Sequence, residues 1–223
     1  MTDFGYRMTM PPAWRRARSV AEASTLSHRM AAEAATREPG RDSGLAARRR
    51  RELAKILTTR CTAAFERGAF ELFLFCGPSR TGIFPMTLAV SLVHAGTALS
   101  CDEIERTLRG AVSTPAGARV TFEWRSMPAG DVARRLVRRE LTHGQWRSEV
   151  EDTLAQFGTT AAPSPASGGL PDVTTAQITF AVRLPQSSET VMLLIFDTFG
   201  PGPIGPYLAH ADRIVETLEW VEA

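Results

Sequence analysis

Residues 173–220 read VTTAQITFAVRLPQSSETVMLLIFDTFGPGPIGPYLAHADRIVETLEW. From residue 177 to 184, apolar residues alternate with polar or small ones, which predicts a strand with one buried face. Residues 191–196 are continuously apolar, which is typical of a strand buried on both faces. Apolar residues then recur at helical spacing, namely Leu208, Ala211, Val215 and Leu218. The stretch therefore predicts strand, turn, strand and amphipathic helix.

Helical patterns occupy most of the first 68 residues. Residues 19–37 are rich in Ala and Glu, and Glu38-Pro39-Gly40 ends this predicted helix. A second helix is predicted from Asp42 or Ser43 to about residue 67, with Gly68 as its stop. Residues 4–10 predict a short entry strand.

Strand signals follow from residue 70. Residues 70–76 and 84–93 predict a hairpin around the turn residues 77–82. Residues 103–108 predict a short helix, and residues 119–125 alternate as a half-buried strand does.

The next segment, residues 131–141, is ambiguous. Four arginines and three apolar residues fit a basic amphipathic helix, but they also fit a strand. The four-residue connection 127–130 favours a hairpin with residues 119–125. Residues 145–157 predict a further helix, and residues 158–171 predict a flexible loop rich in Gly, Pro, Ser and Ala.

These elements predict a single α+β domain over residues 1–223. Hairpins join most of the strands, so we expect an antiparallel sheet of five to seven strands with helices packed on it. The loop 158–171 is expected to be an insertion between strands, because the strands after it need the earlier sheet to pair with.

Composition is that of an ordinary globular protein with a net charge of +2. Residues 1–70 are more basic, with 14 Lys/Arg against 7 Asp/Glu. Cys61, Cys76 and Cys101 lack metal or redox spacing, so we expect free, buried thiols in a reducing compartment. Because no apolar run is long enough to span a bilayer, we expect no transmembrane segment and a cytoplasmic location.

No catalytic, cofactor or metal motif is predicted. Residues 76–82 have neither the spacing of a phosphatase loop nor the Gly-Lys-Ser/Thr of a Walker A loop, and we interpret them as a hairpin turn. We expect a structural role for His94 and a surface role for His210. An enzyme or small-ligand site built from scattered residues stays open as an alternative, and its pieces are Arg80, His94, Cys76 and Asp197.

Two arginine runs are candidates for binding an anionic partner such as an acidic protein segment, a lipid headgroup or nucleic acid. Their residues are Arg48, Arg49, Arg50, Arg51, Arg134, Arg135, Arg138 and Arg139. A solvated face is the simpler interpretation of both runs. No aromatic residues that would stack on bases are interleaved with either run, which makes nucleic acid the weaker partner.

The chain resembles uncharacterised actinobacterial proteins that end in an "LLLSFSTP…LFDAIAGTLRW"-like segment. Residues 181–185 and 191–198 match the two strands of that segment, and Trp220 matches its last residue. Residues 6–14 and 128–134 are similar to the family's upstream motifs. Residues 199–203 depart from the family, so we expect residues 200–206 to be particular to this chain.

This resemblance implies a Mog1/PsbP-like α/β/α sandwich, a group whose members mostly bind other proteins. Together with the missing catalytic motif, it predicts a non-enzymatic, protein-binding adaptor, chaperone or scaffold component, and an association with secretion stays open. No cofactor is expected, the partner is another protein, and a homo-oligomer stays open.

Overall fold

The computed structural model describes residues 4–36, 43–79, 82–110, 115–156, 172–185, 187–200 and 203–222. The helices in these ranges are α1 (Val20–Thr36), α2 (Ser43–Glu66), α3 (Cys101–Gly110), α4 (His143–Gln156) and α5 (Gly205–Glu216). The strands are β1 (Phe4–Arg7), β2 (Arg15–Ala17), β3 (Ala69–Ser79), β4 (Gly82–His94), β5 (Arg119–Met127), β6 (Gly130–Leu141), β7 (Val173–Leu184), β8 (Ser187–Gly200) and β9 (Glu219–Glu222).

Seven strands form one antiparallel sheet in the order β2-β3-β4-β8-β7-β6-β5. The strand β8 is the central one, and both of its faces are covered, which explains its continuous apolar run. The strands β1 and β9 pair with each other in a separate antiparallel ribbon. The predicted α+β class and its antiparallel sheet are confirmed.

One side of the sheet, which we call the α5 face, holds the largest apolar core. The sheet contributes Ile178, Phe180, Leu194 and Phe196, all fully buried. The residues that cover them from outside the sheet include Trp14, Ala211, Ile214, Val215 and Leu218. Full burial of each large side chain stabilises the fold by roughly 1.5–3 kcal/mol, so α5 is held by its apolar stripe.

The opposite side, which we call the four-helix face, is covered by α1 to α4. The helices α1 and α2 pack on β3, with Met30 and Cys61 against Leu72 and Leu74. The helix α3 packs across β6, β7 and β8, where Ile104 and Leu108 contact Ala133, Ala181 and Val191. The helix α4 contacts α2 and β6.

The ambiguous segment 131–141 is a strand, as the short connection favours. Met127 pairs with Gly130 around a tight turn, and Gly130 has a φ of 113°, which favours glycine. Trp220, the last residue of the segment that resembles the family, is partly buried against the core, and its indole Nε1 donates to the carbonyl of Ala129 at 3.1 Å.

The short strands β2 and β9 are absent from the predictions, whereas the five helices all lie where the sequence places them. The predicted loop 158–171 lies outside the described residues.

Candidate functional site

Four charged residues on the α5 face join α5 to the edge of the sheet, and we call them the Arg134 cluster: Glu123, Arg125, Arg134 and Asp212. The guanidinium of Arg134 is 7% exposed and donates to both oxygens of Asp212, at 2.9 and 3.5 Å. It also donates to Glu123 at 2.9 Å, while Arg125 lies 3.2 Å from Asp212. These charges are mutually neutralised, so the cluster is structural.

His210, predicted at the surface, is half-buried between aromatic rings. The Trp14 Nε1 donates to its Nε2 at 3.0 Å, and the two rings stack with centroids 6.0 Å apart. Burial lowers the pKa of His210 below its usual value, and the charge of Arg213 lowers that pKa further. The imidazole is therefore neutral at pH 7 with its proton on Nδ1, and the surface interpretation is corrected.

A buried carboxylate ties β3 to the N-terminal strands. Glu71 is 3% exposed and accepts hydrogen bonds from the hydroxyl of Tyr6 and the Nε of Arg16. Burial raises the pKa of Tyr6, and the carboxylate raises it further, so the phenol stays protonated as a donor. Every charged partner here is satisfied within the chain, which again indicates a structural role.

The four-helix face carries polar groups in its interior. Gln177 donates to Asp197 at 3.1 Å, and the guanidinium of Arg60 lies 4.7 Å from the ring centroid of Phe199 and 5.7 Å from that of Trp146. Burial raises the pKa of Asp197, an effect that the positive charge of Arg60 opposes. Burial likewise lowers the pKa of Arg60.

A second buried guanidinium on this face has no described partner. Arg135 on β6 is 2% exposed, and its Nε and Nη2 make no hydrogen bond. Burial lowers the pKa of Arg135, and no described charge opposes the effect. A buried charge without a counter-ion costs several kcal/mol, so this position is the strongest electrostatic anomaly among the described residues.

The predicted arginine run on β6 does not form one solvated face. Alternation along the strand sends Arg134 and Arg138 to the α5 face, and Arg135 and Arg139 to the four-helix face. Of the two outer residues, Arg138 pairs with Glu140 at 2.8 Å and Arg139 pairs with Glu149 at 2.6 Å. The solvated-face interpretation is therefore wrong for the two buried arginines.

The structure describes the side chains of only half of the arginine run on α2. Arg50 and Arg51 are exposed on the helix, whereas the side chains of Arg48 and Arg49 lie outside the described part. Binding of an anionic partner by this run stays a prediction.

Of the four scattered residues of the enzyme alternative, the structure places two, His94 and Asp197, far apart. His94 is exposed at one end of β4, where its Nδ1 lies 3.1 Å from the hydroxyl of Thr190. Asp197 pairs with Thr87, seven residues away along β4, a separation of about 23 Å at the usual strand rise. Arg80 lies outside the described residues, as does the side chain of Cys76.

Within the described part of the chain, Cys61 and Cys101 do not form a common site with other metal-binding side chains. Burial raises the pKa of Cys61 to about 11, which leaves it a protonated core thiol. Cys101 is exposed, so the expectation that the cysteines are buried is wrong there. Across the described ranges, no group of three or more His, Cys, Asp and Glu residues could hold a metal ion.

The outer edge of β5 is open. This strand pairs with β6 on one side, and no described strand pairs with its other side. Its first three residues, Arg119, Val120 and Thr121, are all exposed although they alternate between the two faces. Therefore, neither α5 on one face of the sheet nor α1 to α4 on the other covers this end of the strand.

A second exposed area lies at the end of the β3–β4 hairpin. Phe70 is 44% exposed and Leu92 is 51% exposed, although both lie in strands whose sequences are largely apolar. The strand β3 begins at Ala69 opposite Ser91, so β4 extends beyond it.

The structure describes only part of residues 200–206, the segment expected to be particular to this chain. Gly200 ends β8, Ile204 is buried and Gly205 begins α5, while residues 201–202 lie outside the description. Among the described helices, none is both long and apolar enough to cross a bilayer.

Sequence reasoning missed Arg60 and Glu71 because both lie in apolar surroundings without a motif. A signal was present for Arg60, since it lies three residues after Leu57 and next to Cys61 on the apolar side of α2. For Glu71 the partners lie 55 and 65 residues away, at a distance in sequence that no spacing rule covers.

No family model matches this chain, and no curated protein matches it. Among solved structures, it is similar to LpqN, described as involved in cell envelope biogenesis of Mycobacterium tuberculosis. The two share 9% identity over 99% of this chain and 85% of that chain, with a TM-score of 0.46. A similarity at this level carries no information on function.

Proposed function

We propose that this chain is a non-enzymatic, protein-binding module that acts as a cytoplasmic adaptor, chaperone or scaffold component. The observation that supports the proposal is the open edge of β5, which offers unpaired backbone groups to an extended segment of a partner. Addition of a strand to such an edge is a common way to bind a peptide. Membership of the Mog1/PsbP-like group stays a prediction.

The charges on this edge define the partner's chemistry. Arg119 lies directly opposite Arg138 in the ladder, and like charges in that position repel each other. Arg138 has Glu140 as its partner, whereas no ion pair is described for Arg119. An acidic residue in the incoming strand would neutralise Arg119.

Side chains on the other face of β5 add an apolar requirement. Val120 is 36% exposed, and the next residues on that face, Phe122 and Trp124, are partly exposed. A partner strand that alternates acidic and apolar residues therefore fits both faces of the edge.

Binding of a labelled nine-residue peptide that alternates Glu and Val tests the proposal by fluorescence anisotropy. We expect it to bind the protein more tightly than a Lys-Val peptide of the same length, and Arg119→Glu to weaken its binding about tenfold. The control Arg29→Glu makes the same charge change on an exposed position of α1 and should bind as the wild type does. Equal binding of the two peptides would remove the support for this function.

Proline substitutions test whether the backbone edge itself is used. In adjacent residues of an edge strand, one N–H bonds to the neighbouring strand and the next points away from it. Between Val120→Pro and Thr121→Pro, we expect one variant to keep its stability and lose the peptide. A homodimer that forms through β5 in gel filtration and is lost in that variant would instead identify a second copy as the occupant.

A further inference from the structure

The register of the β5–β6 hairpin decides which backbone groups of β5 face its open edge. Met127 lies directly opposite Gly130, and only Pro128 and Ala129 connect them. So short a loop is closed by a pair of residues that bond to each other through both N–H and C=O groups. The ladder continues from there without a register shift, so every second residue of β5 back to Arg119 bonds to β6 in the same way.

The residues between these bonded ones, Val120, Phe122 and Trp124, point their backbone N–H and C=O groups away from β6. No described strand pairs with that side of β5. Their side chains belong to the four-helix face, because Phe122 and Trp124 pack against Ile104 and Leu108 of α3. An added strand therefore bonds to residues whose side chains lie beside α3. Of the two proline variants, Val120→Pro is the one that leaves the bonds to β6 intact.

Three side chains beside these outward groups form what we call the Phe122 platform: Phe122, Trp124 and Arg109. The two rings meet edge to face with their centroids 6.2 Å apart, and both are partly exposed. The guanidinium of Arg109 lies 4.8 Å from the ring centroid of Phe122. Arg109 donates to Glu105 at 2.7 Å, and 56% of its side chain is exposed. A ring from an added strand can therefore reach both an aromatic group and a cation.

The residue of an added strand that lies directly opposite Phe122 is the one nearest to this platform. Residues in that relation share a face of the sheet, and their Cβ atoms are about 4.5–5.5 Å apart. Aromatic pairs are favourable in this position, and a cation close to an aromatic ring adds to the attraction. An aliphatic side chain would bury apolar area there without these two interactions. The platform therefore favours an aromatic residue opposite Phe122.

Arg119 defines a second position in the added strand. It comes three residues before Phe122 and lies on the other face of β5, directly opposite Arg138. An acidic residue beside Arg119 would offset the repulsion between these two arginines. In an antiparallel strand, which is the more stable pairing per residue, this position comes three residues after the one opposite Phe122. An acidic residue three positions before it would meet Arg125, which already belongs to the Arg134 cluster.

We propose that β5 binds, by antiparallel strand addition, a protein segment in which an aromatic residue is followed three residues later by Asp or Glu. The outward backbone groups of Val120, Phe122 and Trp124 hold the segment. The Phe122 platform receives the aromatic side chain, and Arg119 receives the carboxylate. This inference rests on the proposed function, because it assumes that a strand adds to β5. It goes further by defining the sequence and the direction of that strand.

Two labelled nine-residue peptides of the same composition test the direction of the strand by fluorescence anisotropy. The peptide TVTFTVEVT has its Glu three residues after Phe, and the reversed peptide TVEVTFTVT has it three residues before. We expect the full chain to bind the first peptide about threefold more tightly, because only its carboxylate meets Arg119 in an antiparallel register. Equal binding of the two peptides, or tighter binding of the reversed one, would overturn the proposed direction.

The variant Arg109→Met tests the aromatic position. We expect the wild type to prefer TVTFTVEVT about fivefold over the same peptide with Leu in place of Phe. Arg109→Met should lose most of this preference, because Met keeps an apolar stem without the cation. The control Arg106→Met removes an exposed charge from the same helix and should keep the preference. A preference that Arg109→Met retains in full would contradict the role of the platform.

Amide hydrogen exchange of the wild type separates this inference from the proposed function. In the free protein we expect the N–H groups of Phe122 and Trp124 to exchange faster than those of Thr121 and Glu123, which bond to β6. Bound TVTFTVEVT should slow the exchange of Phe122 and Trp124, and binding without that effect would overturn the inference. If these amides are protected equally by both peptides and by the Leu peptide, this inference fails and the proposed function stands. If neither these peptides nor the Glu-Val peptide bind, both fail.

Discussion

At the scale of single residues, His210 shows that burial sets a protonation state that the sequence does not reveal. The Nε2 of this histidine accepts a hydrogen bond from Trp14, so its neutral form is the one that fits the folded protein. Its pKa is lowered first by burial and then by Arg213. The neighbouring Asp212 suggested an exposed position for His210, but the Asp212 carboxylate accepts a hydrogen bond from Arg134.

The lowered pKa predicts a loss of stability in acid. Above the ordinary histidine pKa, both folded and unfolded forms are neutral, and His210 has no effect on stability. As the pH falls below it, the unfolded chain binds a proton that the folded protein resists, so the unfolding free energy decreases. The variant His210→Gln keeps an acceptor for Trp14 without titrating.

The measurement is the urea midpoint at pH 7 and pH 5 for the wild type and His210→Gln. We expect the wild type to lose more stability between the two pH values, since the other three histidines are shared by both proteins. An identical pH dependence of the two midpoints would show that His210 is protonated equally in both states.

The directions in which the four arginines of β6 point depend on whether residues 131–141 form a helix or a strand. As a helix, this segment would place most of its arginines on one side, whereas a strand sends consecutive residues to opposite faces. Once the hairpin is assigned, the separation of Arg134 from Arg135 is predictable. Their burial was not, because it depends on α3, α4 and α5, which come from distant parts of the chain.

At the scale of elements, the Arg134 cluster fixes α5 on the sheet. Asp212 is 18% exposed on this helix and meets guanidinium groups from β5 and β6. The apolar stripe of α5 explains why the helix packs, and the carboxylate adds a specific position along it. The spacing of apolar residues does not predict this position, because a helix shifted slightly along its axis would bury the same apolar stripe.

Removal of this carboxylate should be costly. We expect Asp212→Ala to lower the unfolding free energy by about 2–3 kcal/mol, because Arg134 stays buried with one partner fewer. Glu140→Ala, which removes the exposed partner of Arg138, should cost less than about 1 kcal/mol. Urea unfolding of both variants gives the comparison, and equal losses would show that the cluster does not fix α5.

The long elements were predictable, whereas two of the short strands were not. The helices and the hairpin strands each carry enough apolar positions to define a period. The strands β2 and β9 have three and four residues, and they form because a partner strand is already in place. No local pattern could have indicated them.

At the scale of the whole molecule, one sheet separates two differently built layers. Its α5 face is covered by one helix and the terminal ribbon, whereas its other face supports four helices. The sheet strands contribute side chains to both layers, so loss of packing in one layer would expose the strands on which the other layer also packs. The class of this arrangement followed from the order of predicted elements, but the distribution of helices between faces did not.

This shared sheet predicts a single unfolding transition. Two of the four tryptophans, Trp14 and Trp220, belong to the α5 side, and Trp124 and Trp146 belong to the other. In a protein with Trp14→Phe and Trp220→Phe, we expect fluorescence and far-UV circular dichroism to give the same urea midpoint. Fluorescence that changes at a clearly different urea concentration would indicate that the two layers unfold separately.

The pairing of β1 with β9 joins residues 4–7 to residues 219–222. During synthesis on the ribosome, β1 emerges before β9 and has no partner in this ribbon until β9 follows. The loop that this pairing closes spans nearly the whole chain, and closing so long a loop is slow relative to local contacts. The ribbon therefore forms late in the maturation of the nascent chain, and until then the backbone of residues 4–7 lacks its partner strand.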